Sequence, residues 1–198
     1  MTKYQVQDKF FKRAKEEGYR ARSAFKLQSI DERYNLLRSG MKVLDLGAAP
    51  GSFLQYISGR IGERGLAVGI DLRKIEDLGL PNVRTYVGDI SDVELYKKIV
   101  QENGLDKFDL IASDLAPNTT GIPFLDGGAS LHLNLRVLEV AKTYLKMGGA
   151  LVMKILPGFN EGDLIGEARK MFKTVKKYRP QAVRRSSGES YVVCLEKR

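Results

Sequence analysis

The sequence predicts a doubly wound α/β domain, a mostly parallel sheet with helices on both faces. Three observations carry this reading. Seven apolar strand-like runs follow one another along the chain, and the first five alternate with connecting segments that are mostly helical in pattern. The first five read as continuously apolar, as strands covered on both faces are, where a half-exposed strand would alternate. The last two have no helical pattern between them, so they pair as a hairpin and add an antiparallel strand at the end.

Each element has its own justification. Helical patterns at 4–17 and 22–37 precede the first strand, with Gly18 as the break between them. "MKVLDLG" is the first strand and leads through a glycine turn into the helical "GSFLQYISGRI". "GLAVGIDL" is followed by a loop-rich piece, "VRTYVGDI" by the helix "SDVELYKKIVQENG", and "FDLIASDLA" by a helix over 128–146. "GALVMKIL" precedes the helix "EGDLIGEARKMF"; the strands "KTVKKYRP" and "SYVVCLEK" close the chain. A length of 198 residues fits one domain, with a basic helical segment over 1–38 and a core over 39–198.

Composition narrows the class. Hydrophobic content of 43% and charged content of 29% are those of a soluble globular domain. No apolar run reaches the roughly 18 residues of a membrane span, and the first residues lack a signal-peptide core, so the expectation is a cytoplasmic monomer. The single cysteine, Cys194, sits in an apolar strand and reads as a buried thiol; the single histidine, His132, lies in a helical pattern and has no ligand partner. No metal site is expected. The net charge of +9 is unevenly placed. Residues 1–26 carry eight basic and three acidic side chains, and residues 169–185 eight basic and none acidic, so the rest of the chain is mildly acidic. Two basic segments on an acidic body read as a divided phosphate-binding surface, with nucleic acid as the partner.

The glycine turn "VLDLGAAPGSF" stands where doubly wound sheets bind ligands, after the first strand. It is no P-loop, because no Gly-Lys-Ser/Thr follows, and it lacks the middle glycine of a dinucleotide fingerprint. Asp45, Asp71, Asp89 and Asp114 fall at successive strand ends and would repel phosphate. They suit S-adenosyl-L-methionine, which carries a sulfonium, an ammonium, a ribose diol and an adenine amine. In this reading Asp71 accepts from the ribose hydroxyls, Asp89 from the adenine amine, and Gly47 and Gly51 allow close backbone approach.

"GYRARSAFKL", "VLDLGAAPGSF", "SDLAPNTTG", "VMKIL" and "SSGESYVV", in this order over nearly the whole chain, resemble the FtsJ/RrmJ family of RNA ribose 2′-O-methyltransferases. The resemblance implies a Rossmann-like methyltransferase domain with a seven-stranded sheet. It also implies a Lys-Asp-Lys-Glu tetrad, which falls on Lys26, Asp114, Lys154 and Glu189, and cofactor contacts at Gly51, Phe53, Asp71, Asp89 and Asp114. Ser52 and Phe53 stand where the family commonly has a second glycine and a tryptophan, and "GIPFLDGGASLHL" is looser than the family's segment.

The implied chemistry is in-line transfer of an activated methyl group to a ribose hydroxyl, for which a lysine can act as base; burial and a second ammonium, Lys26, favour its neutral form, while Asp114 and Glu189 oppose that shift. Lys154 is the candidate base. Asp114 lies near both cofactor and base, Lys26 on the hydroxyl or a flanking phosphate, and Glu189 holds a lysine in place. Signatures of adenine amino-methylation and of cysteine-dependent cytosine methylation are missing. The expected target is a uridine of 23S-type ribosomal RNA in the large subunit, with transfer RNA the runner-up. A non-catalytic RNA-binding domain would not need the tetrad, and a small-molecule methyltransferase would not need the basic segments.

Overall fold

A computed structural model of the chain describes residues 9–117, 120–157, 161–184 and 187–198. Lys3 and residues 4–8 of the first helical pattern lie outside the described residues. So do Asn118 and Thr119 of "SDLAPNTTG", and Arg185 and Ser186 near the second basic segment.

The seven strands are β1 (Lys42–Leu46), β2 (Leu66–Asp71), β3 (Val83–Val87), β4 (Phe108–Ser113), β5 (Leu145–Ile155), β6 (Phe172–Tyr178) and β7 (Ser190–Lys197). They form one sheet in the order β3-β2-β1-β4-β5-β7-β6. The first five run parallel, and β7 is antiparallel to both its neighbours, β5 and β6. The antiparallel strand therefore sits inside the sheet, with β6 at the edge. Side-chain chemistry accounts for the order. "YVVC" of β7 is buried throughout, whereas "KTVKKY" of β6 carries lysines that need a solvent-facing position.

Helices α1 (Lys9–Glu16), α2 (Ala24–Tyr34), α3 (Ser52–Ile61), α4 (Val93–Glu102), α5 (Pro123–Tyr144) and α6 (Glu161–Met171) complete the fold. Residues from α2 and α3 pack with Val43, Val152 and Tyr191 on one face of the sheet. Residues from α4, α5 and α6 pack with Leu44, Met153 and Cys194 on the other. Leu27 and Ile30 of α2 are fully buried, each contributing about 1.5 to 3 kcal/mol, so the N-terminal helix that carries Lys26 is part of the core. It ends earlier than its pattern predicts because Asn35 adopts a left-handed conformation (φ 52°) and Asp31 caps the turn, accepting from Leu36 and Leu37 N–H.

Two further boundaries differ from the sequence reading. The α5 helix begins at Pro123, not 128, and runs through Gly127 and Gly128. Pro is suited to the first helical turn, and Asp126 near the start receives Thr120 and Gly121 N–H. Strand β5 begins at Leu145, four residues before the expected "GALVMKIL"; a register shift opposite Phe108 and Leu110 takes up the extra length. Cys194 is buried as expected, and burial pushes its thiol up to about 12. His132 is exposed on α5. Among the described residues no cluster could hold a metal ion, and no helix is long and apolar enough to cross a membrane.

Candidate active site

The strand order reverses between β1 and β4, and ligand crevices of such sheets open at the carboxyl ends of the strands there. A cleft of about 610 Å³ lies at that place, walled by Gly47, Asp71, Asp89, Asp114 and the apolar Leu115 and Leu133. Asp71 ends β2, Asp89 follows β3 and Asp114 follows β4, so three of the four strand-end carboxylates meet in it. Asp45 does not. It is fully buried beneath the cleft with no hydrogen-bond partner on either oxygen among the described residues. Burial, reinforced by the charges of Asp114 and Asp71, holds its carboxyl well above the usual range and favours the neutral acid.

Asp71 is partly engaged by its own chain: Oδ2 accepts Ala49 N–H at 2.9 Å and Oδ1 accepts Arg73 N–H at 2.9 Å. A carboxylate offers about four acceptor positions, so capacity remains for a ligand diol. Asp89 is exposed, and its Oδ1 accepts Ser91 N–H at 2.7 Å. Gly47 has φ 76°, and a Cβ there would meet Leu115 at 2.7 Å. Its freedom lets the loop after β4 close against the turn after β1. Gly51 (φ 106°) starts α3 beneath Leu78 and Ile75, and Phe53 is packed in the core layer on that face. Both stand behind the turn and outside the cleft wall.

The tetrad converges on Asp114. Lys154 Nζ lies 3.1 Å from Asp114 Oδ1 and also donates to the Asp114 carbonyl. Lys26 Nζ lies 4.0 Å from the same Oδ1 and 2.6 Å from Glu189 Oε1. All four side chains are at most 19% exposed, so the two ammoniums and two carboxylates form a nearly dry, charge-balanced cluster in which no ion lacks an opposite charge. Such an arrangement can hold an ammonium rigidly at a cleft edge and exchange a single proton there.

Two supporting groups are absent from the sequence reading. The hydroxyl of fully buried Tyr191 donates to Asp114 Oδ1 at 2.5 Å. Burial first, then the Asp114 charge, keeps this phenol well above its usual range, so it remains a donor. Asn134 of α5 donates to the Lys154 carbonyl at 2.9 Å and pins the strand end. Tyr191 pairs with Lys154 across β5 and β7, a register that places both side chains on one face.

The basic segments prove heterogeneous. In 169–185, Lys170 pairs with Glu167, Lys173 with Glu196 and Lys177 with Glu161, while Arg179 donates to the carbonyls of Arg184 and Ser187. In 1–26, Arg20 clasps the carbonyls of Pro50, Glu76 and Asp77, fastening the N-terminal segment to the cleft loops. Arg22 stands close to Arg184 and Glu189. Burial and the Arg184 charge lower its proton affinity, and Glu189 opposes them. An arginine pair thus borders the tetrad.

A sheet of this order, with a crevice that presents carboxylates and no phosphate cradle at its switch point, is that of a Rossmann-like methyltransferase using S-adenosyl-L-methionine. Known proteins narrow the class. The model of the FtsJ-like methyltransferase family matches residues 19–197, and the chain belongs to that family. Ribosomal RNA large subunit methyltransferase E of Syntrophobacter fumaroxidans is 40% identical over 195 residues, 98% of each chain. Its counterpart in Haloarcula marismortui is 42% identical over 193 residues, 94% of this chain and 73% of that one. Among solved structures, one described as a ribosomal RNA methyltransferase from Plasmodium falciparum has a TM-score of 0.81 at 28% identity, covering 90% of this chain and 98% of that one. Aeropyrum pernix fibrillarin, solved with natively bound S-adenosyl-L-methionine, shares the fold at a TM-score of 0.59 and 16% identity, over 87% of this chain and 76% of that one.

Proposed function

We propose that this chain, acting as a cytoplasmic monomer, methylates the ribose 2′-hydroxyl of a uridine in 23S-type ribosomal RNA of the large subunit. The observation that carries the reading is the convergence of Lys26, Lys154 and Tyr191 on Asp114 at the edge of the carboxylate cleft. S-adenosyl-L-methionine supplies a methyl group on a sulfonium, already activated for in-line displacement. The chain must align a hydroxyl and remove its proton, which goes to the Lys154 amine after its ammonium, paired with Asp114 at rest, has released a proton to solvent. Asp114 fixes that amine, Tyr191 fixes Asp114, and the Lys26–Glu189 pair presents a second ammonium to the ribose or a flanking phosphate. Asp71 receives the cofactor's ribose diol and Asp89 its adenine amine. Arg22 and Arg184 beside the tetrad, with the exposed Lys176, form the phosphate-contacting rim.

The cofactor roles give one expected result. Asp71→Asn should weaken S-adenosyl-L-methionine binding by about 1.5 to 3 kcal/mol, the scale of hydrogen bonds to a charged group, as read by isothermal titration. Unchanged affinity would remove the ribose from Asp71. The target is tested with large-subunit ribosomal RNA and ribosomal subunits from a strain lacking this gene, using radiolabelled methyl donor. Label should appear at one uridine whose 3′ phosphodiester resists alkaline hydrolysis. Label confined to transfer RNA would transfer the reading to that substrate.

A further inference from the structure

Beside the tetrad lies a second concavity that the proposed chemistry does not use. It holds about 620 Å³ between α1, α2 and the C-terminal end of β6, and its wall includes Phe10, Arg13, Gln28, Arg33, Tyr178 and Gln181. Position ties it to the active site. Tyr178 of β6 pairs in register with Tyr191 of β7, which pairs with Lys154 of β5. Three residues in one row across adjacent strands share a face, so Tyr178 stands two strand spacings, about 10 Å, from the proposed base. Helix α2 spans the same interval, with Lys26 in the tetrad and, one turn on, Ser29 bonded to the Tyr178 hydroxyl at 2.8 Å.

The chemistry of the wall is that of a base-binding site. Arg33 lies 5.8 Å from the Tyr178 ring centroid and 5.9 Å from that of Tyr34, and Arg13 lies 4.4 Å from that of Phe25. Planar rings and guanidiniums offer stacking surfaces, and Gln28 and Gln181 offer both donors and acceptors. The single carboxylate among the described residues of the wall, Glu32, already accepts Gln28 Nε2 at 2.8 Å. Arg184, close to Arg22, follows Ala182 of the wall by two residues, and Arg22 in turn lies close to Glu189, so positive charge extends from recess to tetrad. The size falls within the about 300 to 1,000 Å³ of small-ligand clefts.

We propose that this recess is a second nucleotide subsite, which takes the base of an unpaired RNA nucleotide flanking the methylated one and stacks it against Tyr178 and Arg33. The inference rests on the RNA reading above. It makes the register of the strand, and hence which ribose reaches Lys154, a matter of two anchored nucleotides.

The test uses the full chain, radiolabelled methyl donor and target RNA from the deletion strain. Tyr178→Leu, which keeps apolar filling and removes the stacking ring, and Arg33→Gln, an exposed change, should each raise KM for RNA about ten-fold, the scale of one lost stack. The kcat at saturating RNA and the affinity for S-adenosyl-L-methionine should stay at wild-type values, and Tyr178→Phe should keep the wild-type KM. Abasic substitution of flanking nucleotides, one at a time, should find one position that raises KM for the wild-type enzyme and adds nothing in Tyr178→Leu. Wild-type KM values in both Tyr178→Leu and Arg33→Gln would overturn the subsite while leaving RNA methylation standing. Additive losses at every abasic position would overturn it too. A wild-type enzyme that methylates no RNA would fail at the earlier step and take the subsite with it.

Discussion

Substituting the target nucleotide by its 2′-deoxy form is expected to abolish methyl transfer while RNA binding persists. The structure removes one route by which a base could be methylated instead. Carbon methylation of cytosine needs a thiolate nucleophile. The only cysteine, Cys194, pairs with Leu151 in the sheet, three residues along β5 from Lys154 and packed with the core layer on the opposite face. Its thiol is pushed up to about 12 by burial, so at neutral pH it is neither ionised nor within reach of the cleft. What the cleft edge does offer is two lysines braced by carboxylates, of which Lys154, once it has released its own proton, can take that of a hydroxyl. The 2′-hydroxyl is one group among many that an RNA-binding surface touches, so its loss should leave affinity nearly intact and the rate at background. The measurement is methyl incorporation into an oligonucleotide carrying one deoxy position, beside its binding curve. Transfer that persists at that nucleotide would overturn the ribose assignment.

How far the sequence disclosed this molecule varies with the kind of interaction. Strand positions were legible because each buried run is continuously apolar, and "SYVVCLEK" against "KTVKKYRP" even carried the information that β7 is internal and β6 is the edge. The start of α5 was not, since Gly127 and Gly128 read as a break and tertiary context carries the helix through them. Asp71, Asp89 and Asp114 were found by their strand-end positions, yet the same rule placed Asp45 in the cleft, because periodicity tells which face a side chain takes and not how deep it lies. The charge of 169–185 was overstated for a related reason. Glu161 and Glu196, which pair with Lys177 and Lys173, are supplied by α6 and β7, and a count along the chain cannot see partners brought together by folding. Tyr191 was hidden in an apolar strand, where a tyrosine reads as core until the hydroxyl's partner is known.

Arginine in place of Lys154 should cost about 10² to 10⁴-fold in single-turnover rate, the range attributed to a general base, with binding of cofactor and RNA retained. The reasoning turns on what the two side chains share. Both carry a positive charge, so both can answer Asp114 Oδ1, now 3.1 Å from Lys154 Nζ, and the Asp114 carbonyl. Only lysine can give up its proton and take another, since a guanidinium stays charged in proteins. The charge-balanced cluster of Lys26, Lys154, Asp114 and Glu189 is therefore preserved in Lys154→Arg and the base is removed. Lys154 is nearly buried, and a guanidinium is bulkier than an ammonium, so a thermal melt must accompany the rates. Lys154→Met serves as the second probe, removing base and charge together. It should lose as much activity as the arginine variant and in addition leave the Asp114 carboxylate without its nearest opposite charge, a cost in stability of about 3 to 5 kcal/mol, the scale of a broken buried pair. Equal rate losses in a stable Lys154→Arg and in Lys154→Met would place the proton on Lys154. A stable arginine variant turning over near the wild-type rate would leave Lys154 an electrostatic role and move deprotonation to Asp114, Glu189 or water.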